Sequence, residues 1–435
     1  MSANNGHSPK QEWSQDDRLQ CVAITDVGMR RLNNQDSHAV VLAPDEQTWQ
    51  KRGHLFVVAD GMGAHAAGEL ASKLAVDGVC HLYLKYSELS PPDALQRAIV
   101  ETNTEIHRRG QANADFHNMG TTASALLLLP QGALVAHIGD SRVYRLRNRC
   151  LQQLTRDHSL VWELREQLAD NSELSIPKNV ITRSLGPNAT VDVDIEGPLP
   201  LMAGDTFLLC SDGLTGRVSD EELGTILEQM APRAAIDLLV DLANLRGGPD
   251  NITVIIAKVT GAELATASAQ PLTVGRRHGP ATVRSAVWVS FGVCLLGALV
   301  LTIIGNQVLA LLCVLGATLA LFMVQVARQR HKKSGVALAN GHRLGKGPYT
   351  ETPCPTPDPC VRTLRETTRE LRTTNAQSPS LEWESFDALV GAGEQAEQRG
   401  QPAAALQNYG LAVRSLMQQV RELQNKRASD SSLEL

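Results

Sequence analysis

The chain has 435 residues, of which 43% are hydrophobic and 4% aromatic, and its formal net charge is −5. This slightly acidic composition argues against a nucleic-acid binding protein, which needs a basic surface and commonly uses aromatic side chains to stack bases. The eight cysteines form no CxxC pair, which argues against a disulfide framework and a zinc ribbon. Residues 1–18 are polar, predict a disordered N-terminus and lack the apolar stretch of a secretory signal.

Residues 19–260 predict one mixed body of strands and helices. Short apolar runs, such as those over 55–59 and 206–210, are typical of buried or half-buried strands. Turn residues interrupt the apolar stretch over 126–148 twice and indicate successive hairpins, and therefore an antiparallel sheet. Helical periodicities lie between the strand groups without regular alternation. The pattern therefore favours an α+β sandwich over a doubly wound parallel sheet.

A long apolar stretch over 287–327 follows a small, polar linker over 261–286. It contains no Lys, Arg, Asp or Glu and is broken at Gly305, so it suffices for two spans of a bilayer core about 30 Å thick. A buried hairpin of a soluble protein is the alternative. Because basic residues flank both outer ends, we expect both ends to be cytoplasmic. The sequence thus predicts a protein of the cell (inner) membrane, with two transmembrane helices in the lipid bilayer.

Two segments follow the predicted spans. Residues 328–380 are rich in proline and threonine, lack apolar periodicity and are predicted to be a disordered linker. Residues 381–426 predict a helical hairpin divided near Pro402 and weakly similar to a tetratricopeptide repeat. Because one such unit cannot bury its own apolar face, we expect it to dock on a partner, which the sequence does not identify. Residues 427–435 are predicted to be a tail.

Five aspartates stand at the edges of predicted strands. Asp60 and Asp212 each end an apolar run and precede a glycine, Asp250 precedes the last strand, and Asp36 and Asp140 lie in polar segments beside other strands. A carboxylate at the end of a buried strand is costly unless a cation or donor compensates it. Oxygen ligands suit hard divalent ions such as Mg²⁺ and Mn²⁺. Each aspartate alone could be a turn or capping residue, but together they predict an acidic two-metal site, and no Cys/His cluster favours zinc.

Seven sequence blocks occur in an order that is specific for one enzyme family. They are TDVGMRRLNNQDS, VVADGMGAHAAGE, MGTTASALLL, IGDSRVYRLR, LTRDHS, LLCSDGLTGRVSDEEL and DNITVIIAKV. Over about residues 20–260 the chain resembles the bacterial branch of the type 2C, metal-dependent Ser/Thr protein phosphatases. The resemblance implies a sandwich of two antiparallel β-sheets flanked by helix pairs, with the metals at one end of the sandwich.

The resemblance also implies roles for the carboxylates. Asp60 would bridge two metal ions, and the carbonyl of Gly61 would bind the second of them. Asp212 and Asp250 would complete the ligands of the first ion. Asp36 would lie close by and orient the metal-bound water.

Further roles follow from the same motifs. Asp140 matches a position that, in bacterial members, helps to hold a third and weaker metal. Arg31 falls where the family places its phosphate-binding arginine, with Arg30 beside it as the alternative. Asn251 would support Asp250 through a hydrogen bond.

The chain departs from the family pattern at three positions. Gln35 stands where many members carry glutamate, so we expect weaker affinity for the second metal. Ala64 replaces a frequent glycine. His65 either protonates the leaving group or has a structural role. The segment over 155–190 matches a flap beside the site that is variable in the family, and this segment is expected to influence the choice of substrate.

These features predict a membrane-anchored phosphatase that hydrolyses phosphoserine and phosphothreonine on cytoplasmic proteins by attack of metal-activated water. Two Mn²⁺ or Mg²⁺ ions are the expected cofactors. The expected partners are phosphorylated proteins, including Ser/Thr kinases and their substrates, and no nucleic acid. The alternative is an inactive scaffold of the same fold that binds phosphoproteins. The intact Asp60, Asp212 and Asp250 argue against that alternative.

Overall fold

The computed structural model of the chain describes residues 11–15, 18–63, 66–167, 180–266, 273–275, 302, 335–337, 344–374 and 381–433. The strands of this part of the chain are β1 (Gln11–Gln15), β2 (Leu19–Asp26), β3 (Asp36–Val41), β4 (His54–Met62), β5 (Gly120–Thr121), β6 (Ala123–Leu129), β7 (Gly132–Ile138), β8 (Arg142–Arg147), β9 (Cys150–Gln153), β10 (Asp194–Leu199), β11 (Thr206–Cys210), β12 (Ile252–Val259), β13 (Thr273–Gly275), β14 (Gly335–Ala337) and β15 (Thr350–Pro353). The α-helices are α1 (Glu46–Arg52), α2 (Ala67–Lys85), α3 (Pro91–Ala112), α4 (Leu160–Gln167), α5 (Asp212–Thr215), α6 (Asp220–Gln229), α7 (Pro232–Leu245), α8 (Asp358–Thr374), α9 (Glu384–Gln398) and α10 (Pro402–Leu433).

The chain divides into two compact units. The first combines Met1–Gln270 with Arg343–Leu435, and the second is Pro271–His342. The described residues of the second unit form a short antiparallel pair of β13 with β14. All the other strands and all the helices named above belong to the first unit, which also holds the predicted site.

Two antiparallel sheets form the first unit. One sheet has the strand order β1-β2-β12-β11-β8-β9-β15, and the other has the order β10-β7-β6-β4-β3 with β5 paired to β4. The hairpins β6–β7 and β8–β9 are the ones that the turn residues predict. The predicted α+β architecture with two antiparallel sheets is therefore confirmed.

The strand β12 shows how the sequence builds two apolar layers. Side chains alternate between the faces of a strand. Ile255 and Ala257 face the layer between the sheets, where they join Phe56 of the opposite sheet. Val254 and Ile256 face the other side and join the apolar side chains of α7. On the far side of the molecule, α2 packs against β3, β4 and α3. Each sheet is thus covered on both faces, and its strand ends stay available for a site.

Two predictions of disorder are wrong. Residues 11–15, within the segment predicted to be disordered, form β1 beside β2. Within the predicted linker over 328–380, residues 350–353 form β15 on the outer edge of β9, and residues 358–374 form α8. The edge of β9 offers unpaired backbone groups that a further strand can satisfy. Apolar side chains recur along α8 at helical spacing within a polar sequence and are buried: Cys360, Val361 and Leu364.

The C-terminal helices pack against the two-sheet body of the same chain. α9 and α10 lie against each other, and α10 also packs on α7. Leu406, Tyr409 and Val413 of α10 are buried in the same apolar cluster as the side chains of α7. α10 continues to Leu433, so the predicted tail over 427–435 is helical up to that residue. These side chains of α10 are thus covered by α7 of the same chain.

The prediction of two transmembrane helices stays a prediction. No helix in the described ranges is both long enough and apolar enough for a bilayer span. The two spans predicted over 287–327 lie, except for Thr302, outside those ranges.

Candidate metal centre

The aspartates that the sequence singles out lie where strands of both sheets end. Asp36 opens β3 and stands opposite Asp60 in the pairing of β3 with β4. Asp212 begins α5, shortly after β11, and Asp250 shortly precedes β12, the neighbour of β11 in the other sheet. Asp140 lies in the turn between β7 and β8. The antiparallel topology therefore brings residues that are distant in the sequence to one end of the sandwich.

Geometry relates these five side chains in two groups: Asp140, Asp212 and Asp250 line one cleft, and Asp36 stands opposite Asp60 in the pairing of β3 with β4. Burial raises the pKa of Asp60 well above its usual range. The negative charges of Asp36, Asp212, Asp140 and Asp250 raise it further. The negative charges of the other four aspartates thus repel that of Asp60, and the role of these residues as metal ligands stays a prediction.

Asp36 and Asp140 have pKa values far above those of ordinary carboxyl groups. Burial raises the pKa of Asp36 to about 7, although the Ser211 hydroxyl donates a hydrogen bond to its Oδ2 at 2.7 Å. Burial and the negative charges of Asp212 and Asp157 raise the pKa of Asp140 to about 7. Such groups favour a bound proton or a cation, and a divalent ion competes directly with the proton.

Unsatisfied oxygens in the cluster fit a hard divalent ion. The Oδ1 atoms of Asp36, Asp140 and Asp212 are buried and have no hydrogen-bond partner. A buried polar atom without a partner costs free energy, which a coordinated cation would offset. Among the described residues, no three Asp, Glu, His or Cys side chains are already placed around one point so as to hold a metal. The residues therefore fit a metal as a set of oxygen donors rather than as a preformed cage.

Gly61 is required by close backbone contacts. A Cβ atom at this position would lie 2.1 Å from the carbonyl oxygen of Gly68 and 2.6 Å from that of Gln35. The Gly61 amide donates to the Gln35 carbonyl oxygen at 3.1 Å. The glycine that follows Asp60 thus allows β4, α2 and the segment before β3 to approach each other. Metal binding by its carbonyl stays a prediction.

Arg31 stands beside the acidic cluster. Its Nη2 donates to Oδ2 of Asp250 at 2.8 Å, and its side chain is 46% exposed. Arg31 lines the cleft next to the carboxylates, whereas Arg30 donates its backbone amide to the Gly248 carbonyl oxygen at 3.2 Å. Of the two arginines, the geometry favours Arg31 for contact with a phosphoryl group.

Two charged residues of the cleft had no role in the sequence prediction. The cleft has a volume of about 650 Å³, and Asp140, Asp212, Arg142 and Asp157 line it. Arg142 forms an ion pair with Asp157, with Nη2 2.6 Å from Oδ2. Both residues are charged and lie in motif blocks, IGDSRVYRLR and LTRDHS. These two features could have identified them in the sequence as residues of the site. Trp162 of α4 also lines the cleft, in the segment predicted to influence the choice of substrate.

Asn251 holds a loop rather than the carboxylate of Asp250. Its Oδ1 accepts the backbone amide of Gln35 at 2.8 Å. Its Nδ2 donates to the carbonyl oxygens of Val27 at 2.9 Å and Asn33 at 3.0 Å. The contact of Asn251 with the Asp250 carboxylate is made by its backbone amide, which donates to Oδ1 at 2.8 Å. The side chain therefore fixes the loop that carries Arg31, a role that the sequence did not predict.

Three predictions remain as they were. The side-chain amide Nε2 of Gln35 donates to the Gly63 carbonyl oxygen at 3.3 Å, and its effect on metal affinity stays a prediction. Ala64 and His65 lie outside the described residues.

We expect the metal-free protein to lose stability as pH rises from about 4 to about 7. The pKa values of Asp36 and Asp140 are raised from 3.8 to about 7 in the folded chain. Between these values the folded state retains protons that the unfolded state has released, so the free energy of unfolding falls with rising pH. Thermal unfolding of the full chain in chelator measures the slope. The double variant Asp36→Asn, Asp140→Asn should have a flatter profile, and an unchanged slope would contradict this assignment.

Asn251→Ala is expected to lower the free energy of unfolding by about 2–3 kcal/mol, because it removes three hydrogen bonds to backbone groups of the loop over 27–35. The Asn251 side chain is 2% exposed, so water cannot replace these hydrogen bonds freely. Urea unfolding measures the loss. Asn113→Ala is the control, since Asn113 is an exposed capping residue and its removal should cost about 1 kcal/mol or less. Equal losses in the two variants would refute the buried role.

Comparison with known proteins adds a family match and close relatives. The family model described as Protein phosphatase 2C matches residues 29–239. The chain is 37% identical over 242 residues to "Serine/threonine phosphatase stp" of Listeria monocytogenes serotype 4b (strain F2365). The aligned region covers 54% of this chain and 93% of that protein. It is 38% identical over 250 residues to "Protein phosphatase PhpP" of Streptococcus pneumoniae serotype 2 (strain D39 / NCTC 7466), with 55% and 98% covered. A solved structure, the catalytic domain of the serine threonine protein phosphatase PstP in complex with 2 manganese ions, is 35% identical, covers 56% of this chain and 99% of that chain, and has a TM-score of 0.46.

Proposed function

Because this chain belongs to the protein phosphatase 2C family and is a protein serine/threonine phosphatase, we propose that it releases phosphate from phosphoserine and phosphothreonine in proteins by attack of water. The observation that carries this proposal is the cluster of Asp36, Asp60, Asp140 and Asp212, whose pKa values are all raised by burial. Apolar side chains of similar volume would stabilise the fold better than a cluster of this kind. It has a clear use in holding cations at a reaction centre.

The proposed cofactors are two Mn²⁺ or Mg²⁺ ions. Asp60, Asp212 and Asp250, together with the carbonyl of Gly61, are the proposed ligands, and Asp140 is the proposed ligand of a third ion. When bound, the ions supply an acidic water and neutralise charge on the phosphoryl oxygens. The oxygen-only donor set and the unpaired Oδ1 atoms of the cluster support this choice of metal.

Two side chains have proposed roles that do not require them to be ligands. The Ser211 hydroxyl holds Oδ2 of Asp36 at 2.7 Å, which leaves Oδ1 to accept a hydrogen bond from the attacking water. Arg31 presents a half-exposed guanidinium group to the cleft. A guanidinium group has five N–H donors, so Arg31 can bind phosphoryl oxygens while it retains its contact with Asp250. It thereby orients the phosphoryl group and stabilises the charge that develops on it.

Phosphate release from a phosphothreonine peptide by the full chain tests the proposal. We expect turnover with Mn²⁺ or Mg²⁺, none in excess chelator, and little with a phosphotyrosine peptide of the same sequence. Tight binding of the phosphothreonine peptide without turnover under any of these conditions would support the scaffold alternative, which the buried carboxylates do not favour. Turnover that persists in chelator would contradict the metal-dependent mechanism.

Membrane attachment through residues 287–327 is a second part of the proposal. It is supported by the absence of Lys, Arg, Asp and Glu from this stretch and by the basic residues on both sides. Attachment would raise the effective concentration of the enzyme toward phosphorylated Ser/Thr kinases and other substrates in the same membrane. Alkaline extraction of membranes from cells that express the full chain tests it. The chain should stay with the membranes and a deletion of 287–327 should not, whereas release of the full chain would overturn the proposal.

A further inference from the structure

Two arginines of the C-terminal helix α10 contact carboxylates of α7. Arg414 Nη2 lies 2.8 Å from Oδ2 of Asp237, and Arg421 Nη2 lies 2.7 Å from Oδ1 of Asp241. The two aspartates are four residues apart and share one face of α7. Asp241 is 1% exposed, so a cation beside it compensates a charge that water does not reach. The docking of α10 is therefore electrostatic as well as apolar.

Arg421 also faces a carboxylate that lies outside α7. Its Nη2 is 3.9 Å from Oδ2 of Asp26, the last residue of β2, which is 5% exposed. The other oxygen, Oδ1, accepts the backbone amide of Gly28 at 2.8 Å and Nδ2 of Asn244 at 3.1 Å. Asp26 thus connects Arg421 on one side with the first turn of the loop over 27–35 on the other.

This loop carries Arg31, and its path leaves little freedom. Gly28 has φ +80°, and a Cβ atom there would lie 2.2 Å from the carbonyl oxygen of Asp250. The backbone amide of Met29 donates to the Gly248 carbonyl oxygen at 2.8 Å. A shift of Asp26 would therefore move the loop against the segment that holds Asp250, which is also the residue that Arg31 contacts.

We propose that Arg421 is a positioning residue for the phosphatase reaction, because it holds Asp26 and Asp241 in place and so fixes the loop that presents Arg31 to the phosphoryl group. The inference rests on the proposed function. In the described part of the chain, Arg421 forms ion pairs with Asp26 and Asp241, neither of which lines the cleft, and it lies far beyond residue 239, where the family match ends. The C-terminal helix thereby contributes to a catalytic site that the family builds from the preceding domain.

The matched pair Arg421→Gln and Arg414→Gln in the full chain tests this role. Each variant removes one ion pair between α10 and α7, but only Arg421→Gln removes the contact with Asp26. We expect Arg421→Gln to raise the KM for a phosphothreonine peptide and the inhibition constant of inorganic phosphate about tenfold. Arg414→Gln should leave both within about twofold, because the ion pair that it removes does not involve Asp26. Arg421→Lys, which retains the charge, should restore most of the loss.

Two further measurements separate positioning from a general loss of stability. In an Arg31→Ala background, Arg421→Gln should add no further loss, because both changes act through the same contact with phosphate. Amide hydrogen exchange over 28–30 should be faster in Arg421→Gln than in Arg414→Gln. Additive losses, equal effects in the matched pair, or unchanged exchange would each overturn the proposal. Exchange requires no turnover, so a chain that releases no phosphate at all would refute the proposed function by a separate observation.

Discussion

Asp60→Asn is expected to lower kcat for a phosphothreonine peptide by about a thousand-fold or more, since it removes the central charge of the metal centre. Asp60 faces Asp36 across the β3–β4 pairing, and four carboxylates act on it. The substitution keeps the size of the side chain and the hydrogen bond from the Asp60 amide to Thr122 Oγ1 at 2.9 Å. The fold should therefore persist, and initial rates in excess Mn²⁺ measure the combined loss of metal binding and catalysis.

Asp77→Asn is the matched control for this variant. Asp77 is an exposed residue of α2, so the control removes the same charge from a place far from the cluster and should keep its activity within about twofold. Both variants should unfold cooperatively, and in chelator near neutral pH Asp60→Asn should be at least as stable as the unaltered chain, because it removes a buried carboxyl group whose pKa is raised. If Asp60→Asn kept a tenth or more of the activity, the central role of Asp60 would be wrong.

Gly61→Ala is expected to destabilise the protein by about 3 kcal/mol and to reduce its activity. The added methyl group would clash with backbone atoms, which must shift to make room for it. The new Cβ atom would lie 2.1 Å and 2.6 Å from two carbonyl oxygens, those of Gly68 and Gln35. Neither oxygen can move without a shift of α2 or of the segment before β3. Urea unfolding in chelator measures the loss without any contribution from metal.

Gly391→Ala provides the comparison. Gly391 lies in α9, and a Cβ atom there would have nothing within 4 Å. Alanine should stabilise the helix by about 0.5–1 kcal/mol relative to glycine. Opposite signs in the two variants are expected. A Gly61→Ala variant as stable as the unaltered chain would show that the two carbonyls yield easily.

The carboxylates of the site were predictable because their local sequence is unusual. An apolar run that ends at an aspartate and then a glycine occurs at both Asp60 and Asp212. Burial of such a charge needs compensation, and that requirement does not depend on knowing the fold. The hairpin pattern predicted an antiparallel sheet, and the family resemblance implied a sandwich of two such sheets. The sandwich explains how Asp36 and Asp250, which are far apart in the sequence, reach the same end of the molecule.

Contacts that depend on the assembled loops were not predictable. Asn251 directly follows Asp250, and its position suggested a hydrogen bond to that carboxylate. Its side chain instead bonds the backbone amide of Gln35 and two carbonyl oxygens of the loop over 27–35. The pairing of Arg142 with Asp157 likewise depends on where the turn after β7 and the segment after β9 meet. Sequence patterns reveal that such residues are polar and near a site, whereas the partner of each is set by tertiary packing.

The C-terminal region shows a different limit. Its composition between β14 and α8 is rich in proline and threonine, which is typical of disordered segments. That segment nevertheless supplies β15, because the edge of β9 provides backbone partners that exist only once the sheet has formed. The composition of a segment indicates how much apolar surface it can bury by itself. It does not indicate whether the folded chain offers a sheet edge with which the segment can pair.

A calorimetric titration of Mn²⁺ into the metal-free full chain tests the central claim most directly, because it measures the carboxylate cluster as a metal site without reference to activity. The account predicts two tightly bound ions in the unaltered chain, apart from the weaker third ion at Asp140, with loss of one tight ion in Asp250→Asn and of both in Asp60→Asn. A folded chain that binds no Mn²⁺, or an Asp60→Asn variant that binds it as the unaltered chain does, would contradict the account.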